Sequence, residues 1–166
     1  MKPIVKQAFI TSLTAVSCLY IARWCRLPQP FWAVMSSIVV MQADAKATIS
    51  ASWMRVAGTL AGALVGGSFL TLWGNHVWAF GAAVGAVVII CALLRLAESY
   101  RIAAVTVAVV MLMGNPDSSW TTAIDRFLEV SFGILVALLI SAVFNPSYVY
   151  QHLRAVTVKL SDKFKK

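Results

Sequence analysis

Six long apolar stretches, separated by short polar breaks, leave this chain few ways to fold. They lie at about residues 7–24, 29–42, 54–73, 76–94, 101–114 and 127–145. Four of them are 18–20 residues long, close to the ~20 helical residues that cross ~30 Å of hydrocarbon. Little sequence remains outside them for a soluble domain. Only 12% of the 166 residues are charged, about half the share usual in a soluble domain. The expected fold is therefore all-α and integral to a membrane, with six transmembrane helices over residues 1–146 and a tail over 147–166.

The second and fifth stretches are shorter, about 14 residues each. Pro28 and Pro30 open the former, and Gly114, Asn115 and Pro116 close the latter. Each could cross the membrane, enter and return, or lie buried as a short helix.

The chain has a formal net charge of +8, but its basic residues sit at segment ends and in the tail. That distribution reads as an orientation signal and gives no nucleic-acid surface. With six spans both termini share a side. Placing them in the cytoplasm puts eleven of the 14 Lys and Arg inside, leaving Arg23, Arg26 and Arg126 outside. The start of the chain imitates a signal peptide, with Lys2 and Lys6 before an apolar run. Ala15-Val16-Ser17-Cys18 is a poor cleavage box, so a retained first span is the expectation.

The sequence also matches itself at an offset of 71 residues. Ala8-Phe9 aligns with Ala79-Phe80, Ala33-Val34 with Ala104-Val105, Arg55 with Arg126, and Gly62 with Gly133. Apolar matches alone mean little in such a chain. The Arg-x6-Gly pair, placed at the third and sixth apolar stretches and nowhere else, carries more weight. A three-span unit inverts on its second pass. The expectation is two inverted repeats, about 7–73 and 76–145, with the short spans at matched positions, an arrangement found in transporters.

Arg55 and Arg126 are the first candidates for substrate binding. Each is read as standing at the N-terminus of an apolar helix, where the helix dipole and a permanent charge both favour an anion. The alternative is that each reaches to the nearer interface and only sets topology. Glu129, inside the sixth span, is either a proton-coupling carboxylate or the partner of Arg126, and Asp125 is a second potential partner for that arginine. Phe31 and Trp32, at the mouth of a short span, could stack on an aromatic substrate. The other tryptophans cluster at span ends as interfacial anchors. Asp44 and Asp117 are expected in loops or helix caps.

Gly58, Gly62 and Gly66 form one stripe on the third span and are read as close-packing positions, as are Gly133, Gly81 and Gly85. Cys18, Cys25 and Cys91 lack the spacing of a metal or redox site. No metal, cofactor, nucleotide loop or catalytic group is expected, and the chain is not read as an enzyme. The basic tail mixes apolar and charged residues, as an amphipathic helix on the cytoplasmic lipid surface would.

Two stretches carry a family resemblance. Phe31-Trp32-Ala33-Val34 leads through Val39-Val40-Met41-Gln42 to Arg55-Val56-Ala57-Gly58-Thr59-Leu60-Ala61-Gly62, and Asp125-Arg126 leads through Gly133 to Phe144-Asn145-Pro146. These resemble the fusaric acid resistance and aromatic acid exporter family over roughly residues 8–150, most specifically in the Arg-x2-Gly-Thr-x2-Gly run. The resemblance implies efflux of aromatic carboxylic acids or related organic anions through the inner membrane. The plant aluminium-activated malate channels are similar in architecture, with pore arginines, and that likeness adds weight to Arg55 and Arg126 as anion contacts. Exporters of the family usually carry sizeable cytoplasmic domains and often two membrane halves. About twenty residues follow the last span here, so self-association, most simply as a homodimer, is expected, and a periplasmic adaptor is a candidate partner. A non-transporting accessory membrane subunit is the alternative to transport.

Overall fold

A computed structural model describes residues 2–96 and 99–144, so the tail beyond 144 lies outside the described residues. Six α-helices account for nearly all of them: α1 (Lys2–Trp24), α2 (Pro30–Val40), α3 (Ala45–Trp73), α4 (Val77–Leu93), α5 (Tyr100–Met113) and α6 (Ser119–Phe144). A single 3₁₀ turn, Pro116–Ser118, leads into α6. No strand occurs among the described residues.

Three segments, Ile4–Trp24, Ala45–Trp73 and Pro116–Phe144, are long and apolar enough to cross a bilayer. The other three helices are apolar but shorter. α2 has 11 residues and α5 has 14, giving lengths of about 17 Å and 21 Å at 1.5 Å per residue. Neither covers ~30 Å of hydrocarbon alone. Their brevity has a local cause: Pro30 fixes the first turn of α2, and Gly114 with Pro116 stops α5.

The two arginine-bearing helices begin earlier than their apolar runs suggest. α3 starts at Ala45, with the Asp44 carboxylate accepting a hydrogen bond from the Ala47 N–H at 3.3 Å. Its polar first turns bury Ala45, Thr48 and Ser52 along one face, a pattern that mean hydropathy does not register. α6 starts at Ser119. Arg55 and Arg126 therefore sit two to three turns inside their helices. The expectation that each occupies a helix N-terminus is wrong, because the free N–H groups of a helix are confined to its first turn. Asp44→Ala should cost about 1 kcal/mol through loss of the cap, read as a lower thermal midpoint in detergent.

Packing is governed by glycine. A Cβ on Gly58 would meet the Ser99 carbonyl at 2.7 Å, one on Gly62 would run into the Ala103 carbonyl, and one on Gly66 would lie 3.2 Å from the Val107 Cα. The partners advance along α5 as the glycines advance along α3, so these two helices run parallel, one against the other. Gly133 of α6 presses in the same way on the Ala33 carbonyl of α2. The Gln29 N–H donates to the Glu129 carboxylate one turn earlier on both segments, so α2 and α6 also run parallel. α3 and α6 cross in opposite directions, with Thr71 bonded to Ser119 at 2.6 Å and Gly67 lying beside Trp120 and Ala123. Gly81 and Gly85 on α4 have nothing among the described residues within 4 Å of a Cβ position. The close-packing reading of those two finds no counterpart within the fold.

The core follows the same exchange. α3 packs against α4 and α5 around Ala63, Leu70, Val87, Cys91, Val107 and Met111, whereas α6 packs against α1 and α2 around Ile10, Val40, Ile134 and Ala137. Each third helix thus lies chiefly with the first two helices of the opposite half. Cys91 is buried in the first of these clusters, Cys18 is buried beside Ala33 and Val136, and Cys25 is exposed.

Candidate functional site

α3 and α6 cross beside a cavity of about 160 Å³, completed by α2 and α5. Arg55 and Thr59 reach it from α3, Arg126 and Val130 from α6, Trp32 from α2, and Arg101, Ile102, Val105, Thr106 and Val109 from α5. Spacing explains the selection. Arg55 and Thr59 are four residues apart, as are Arg126 and Val130, so each pair shares one helix face. Trp32 lies in the first turn of α2, and Arg101 and Ile102 in the first turn of α5. The cavity is thus flanked by the N-terminal turns of both short helices, whose partial positive charge favours an anion.

Arg126 is buried at 5% exposure. Its Nη1 lies 3.2 Å from Glu129 Oε2, an ion pair whose angle falls short of a hydrogen bond, and its Cζ stands 4.9 Å over the Trp32 ring. Its Nε and Nη1 have no hydrogen-bond acceptor among the described residues. Of the two carboxylates considered as partners, Glu129 makes the pair, because a residue three positions on shares the face of Arg126 and the adjacent Asp125 does not.

Glu129 is buried at 1% exposure. Its Oε1 accepts the Gln29 N–H at 2.7 Å, where Gln29 caps the start of α2. The Gln29 side-chain oxygen accepts from Trp32 Nε1 at 3.2 Å. Glu129, Gln29, Trp32 and Arg126 consequently close a ring between α6 and the beginning of α2. Arg55 is half-buried and donates from Nε to Ser36 Oγ at 3.2 Å. Arg101 is exposed and donates to its neighbour Tyr100 at 3.0 Å.

Of the residues nominated from sequence for substrate contact, Arg55, Arg126 and Trp32 meet at this one cavity. Phe31 does not line it. A step of one residue on a helix turns the side chain ~100°, and Phe31 is exposed, edge-on to Trp32 with centroids 5.3 Å apart. Gly58, Gly62, Gly66 and Gly133 lie on the helix contacts described above, outside the cavity. Sequence reasoning missed Gln29, Ser36, Thr59 and Thr106, and used Arg101 only for topology. Two signals were available: the Ser36-Ser37 pair inside an apolar stretch, and Thr59 one turn after Arg55.

No group of His, Cys, Asp and Glu among the described residues has the geometry of a metal site. The arrangement offers fixed positive charge, hydroxyls and one aromatic face in a small pocket, which suits reversible contact with an anion.

No solved structure matches the chain. Curated relatives do. The UPF0421 protein SSP0904 of Staphylococcus saprophyticus is 25% identical over 152 residues, which cover 91% of this chain and 44% of that protein. The UPF0421 protein YgaE of Bacillus subtilis is 25% identical over 160 residues, covering 96% of this chain and 45% of its own length. The chain thus spans under half the length of the curated relatives it matches. Residues 5–166 match the Fusaric acid resistance protein family, which takes in both the Arg55–Gly62 and the Arg126–Gly133 helices. With its three long apolar helices and a match across nearly its whole length, this chain is a multi-pass membrane protein belonging to the Fusaric acid resistance protein family.

Proposed function

We propose that the protein moves small organic anions, with aromatic carboxylic acids as the foremost class, outward across a bacterial inner membrane. The observation that carries this reading is the meeting of Arg55 and Arg126 at one cavity. The 71-residue offset equates these two arginines, and it also equates Thr59 with Val130, which line the same cavity. Parallel α3–α5 and α2–α6 packing, each pressed on a glycine at matched positions, supports reading the chain as two inverted repeats about this point. Both termini are then cytoplasmic, and the short helices present their N-terminal turns to the anion from opposite sides. Trp32 offers a flat apolar face to the body of an aromatic acid. A homodimer belongs to the proposal, as does a periplasmic adaptor.

Uptake of radiolabelled benzoate into liposomes containing the purified protein tests this reading. Arg55→Gln combined with Arg126→Gln should lower the initial rate about tenfold or more, the scale of losing buried charge contacts. An unchanged rate in correctly folded protein would remove the arginines from the mechanism. A non-transporting accessory subunit is the second reading, favoured by the few charged residues within the apolar helices. Co-purification of a stoichiometric unrelated membrane protein, with no benzoate flux from the isolated chain, would establish it instead.

A further inference from the structure

Resting on that reading, we propose that Glu129 sets the valence of the anion the cavity admits, restricting it to a single negative charge. The two arginines equated by the offset are not alike. Arg126 has a carboxylate 3.2 Å away, whereas the position matching Glu129 in the first half is Gly58, packed against the Ser99 carbonyl. Arg55 accordingly has a hydroxyl, Ser36, as its hydrogen-bond partner among the described residues. Glu129 cancels one guanidinium charge and leaves the other in excess. Arg101 is exposed at the edge and counts for less, since exposed charges are screened. Asp125 neither lines the cavity nor pairs with Arg126.

Glu129 is also a fixed charge. Its Oε1 is held at 2.7 Å by the Gln29 N–H at the start of α2, where the helix terminus stabilises a carboxylate. It stands beside Arg126, just outside the cavity lining, and that bond holds it there. Meanwhile Arg126 itself lines the cavity, so its guanidinium can still meet an incoming oxygen. A monoanion brings the group to neutrality. A dianion leaves a buried excess of negative charge beside Glu129, a costly state in a site screened from water.

Initial uptake rates of benzoate and phthalate into proteoliposomes at neutral pH compare one and two charges on the same ring. Glu129→Gln keeps an oxygen to accept the Gln29 N–H but removes the charge. It should raise the phthalate-to-benzoate ratio about tenfold or more, and adding Arg55→Gln should bring the ratio back toward wild type. That reversal is not something a merely structural role would produce. Arg55→Gln alone tests the same point without touching Glu129. If Glu129 counts, the site becomes neutral and benzoate uptake falls about tenfold or more; if it does not, Arg126 keeps a monoanion site and benzoate uptake persists. Wild-type uptake with an unchanged ratio in Glu129→Gln, or persistent benzoate uptake in Arg55→Gln, overturns the valence role alone. No wild-type uptake of either probe overturns the transport reading, and this one with it.

Discussion

Gly133→Ala should leave little folded protein. The added methyl would drive into the Ala33 carbonyl, with the carbonyl carbon at 2.8 Å and the Cα at 3.0 Å. These are backbone atoms and cannot rotate away as a side-chain tip would. Relief requires α6 to separate from α2, which would break the Gln29–Glu129 bond one turn away and open the core around Ile134 and Ala137. Overpacking commonly costs 1–3 kcal/mol, and a backbone collision belongs at or above the top of that range, about 3 kcal/mol or more. Gly62→Ala should behave alike, against the Ala103 carbonyl. Gly81→Ala is the contrast: its Cβ meets nothing among the described residues, so the better helix propensity of alanine gives a gain of up to about 1 kcal/mol. Thermal midpoints in detergent, followed by size-exclusion chromatography, would rank the three. A Gly133→Ala midpoint equal to wild type would mean that α6 and α2 do not meet as described.

Glu129→Ala has a comparably large expected effect, about 3–5 kcal/mol, because it strands a buried guanidinium. The lost acceptor for the Gln29 N–H adds to the penalty. Arg126→Met on top of Glu129→Ala should recover most of the loss, since a buried pair replaced by apolar groups is often neutral whereas a broken pair is not. The orphaned Gln29 N–H should keep the double variant below wild type by about 1–3 kcal/mol. Equal midpoints for Glu129→Ala and the double variant would show that the Arg126 charge is satisfied elsewhere. The double variant also removes a cavity arginine, so stability must be read separately from flux.

Much of this was legible from spacing and hydropathy alone. Apolar runs of helical length marked six helices, and Arg-x6-Gly marked the two whose glycines bear the tightest contacts. The i,i+3 relation allowed the Arg126–Glu129 pair. Helix starts were not legible, because Ala45–Trp53 is polar in composition yet buries Ala45, Thr48 and Ser52 against its neighbours. The cavity was not legible either. Its residues come from four helices, and the bond that fixes Glu129 joins positions 100 apart, a relation that no local period encodes. Phe31 and Trp32 looked equivalent in sequence, and only the direction of the helix face separates them.

The exchange of third helices has a consequence for how the protein is made. α3 leaves the ribosome well before α5, the helix its glycine stripe grips, and α6 follows both. Until then α3 must wait in the bilayer with Gly58, Gly62 and Gly66 bare to lipid and Arg55 short of its final surroundings. α1 and α2 wait likewise for α6. Neither half can complete itself during synthesis, so packing of this bundle waits until both α5 and α6 have emerged. A chain cut between α3 and α4 would yield two fragments that are stable only when they find each other in the same membrane.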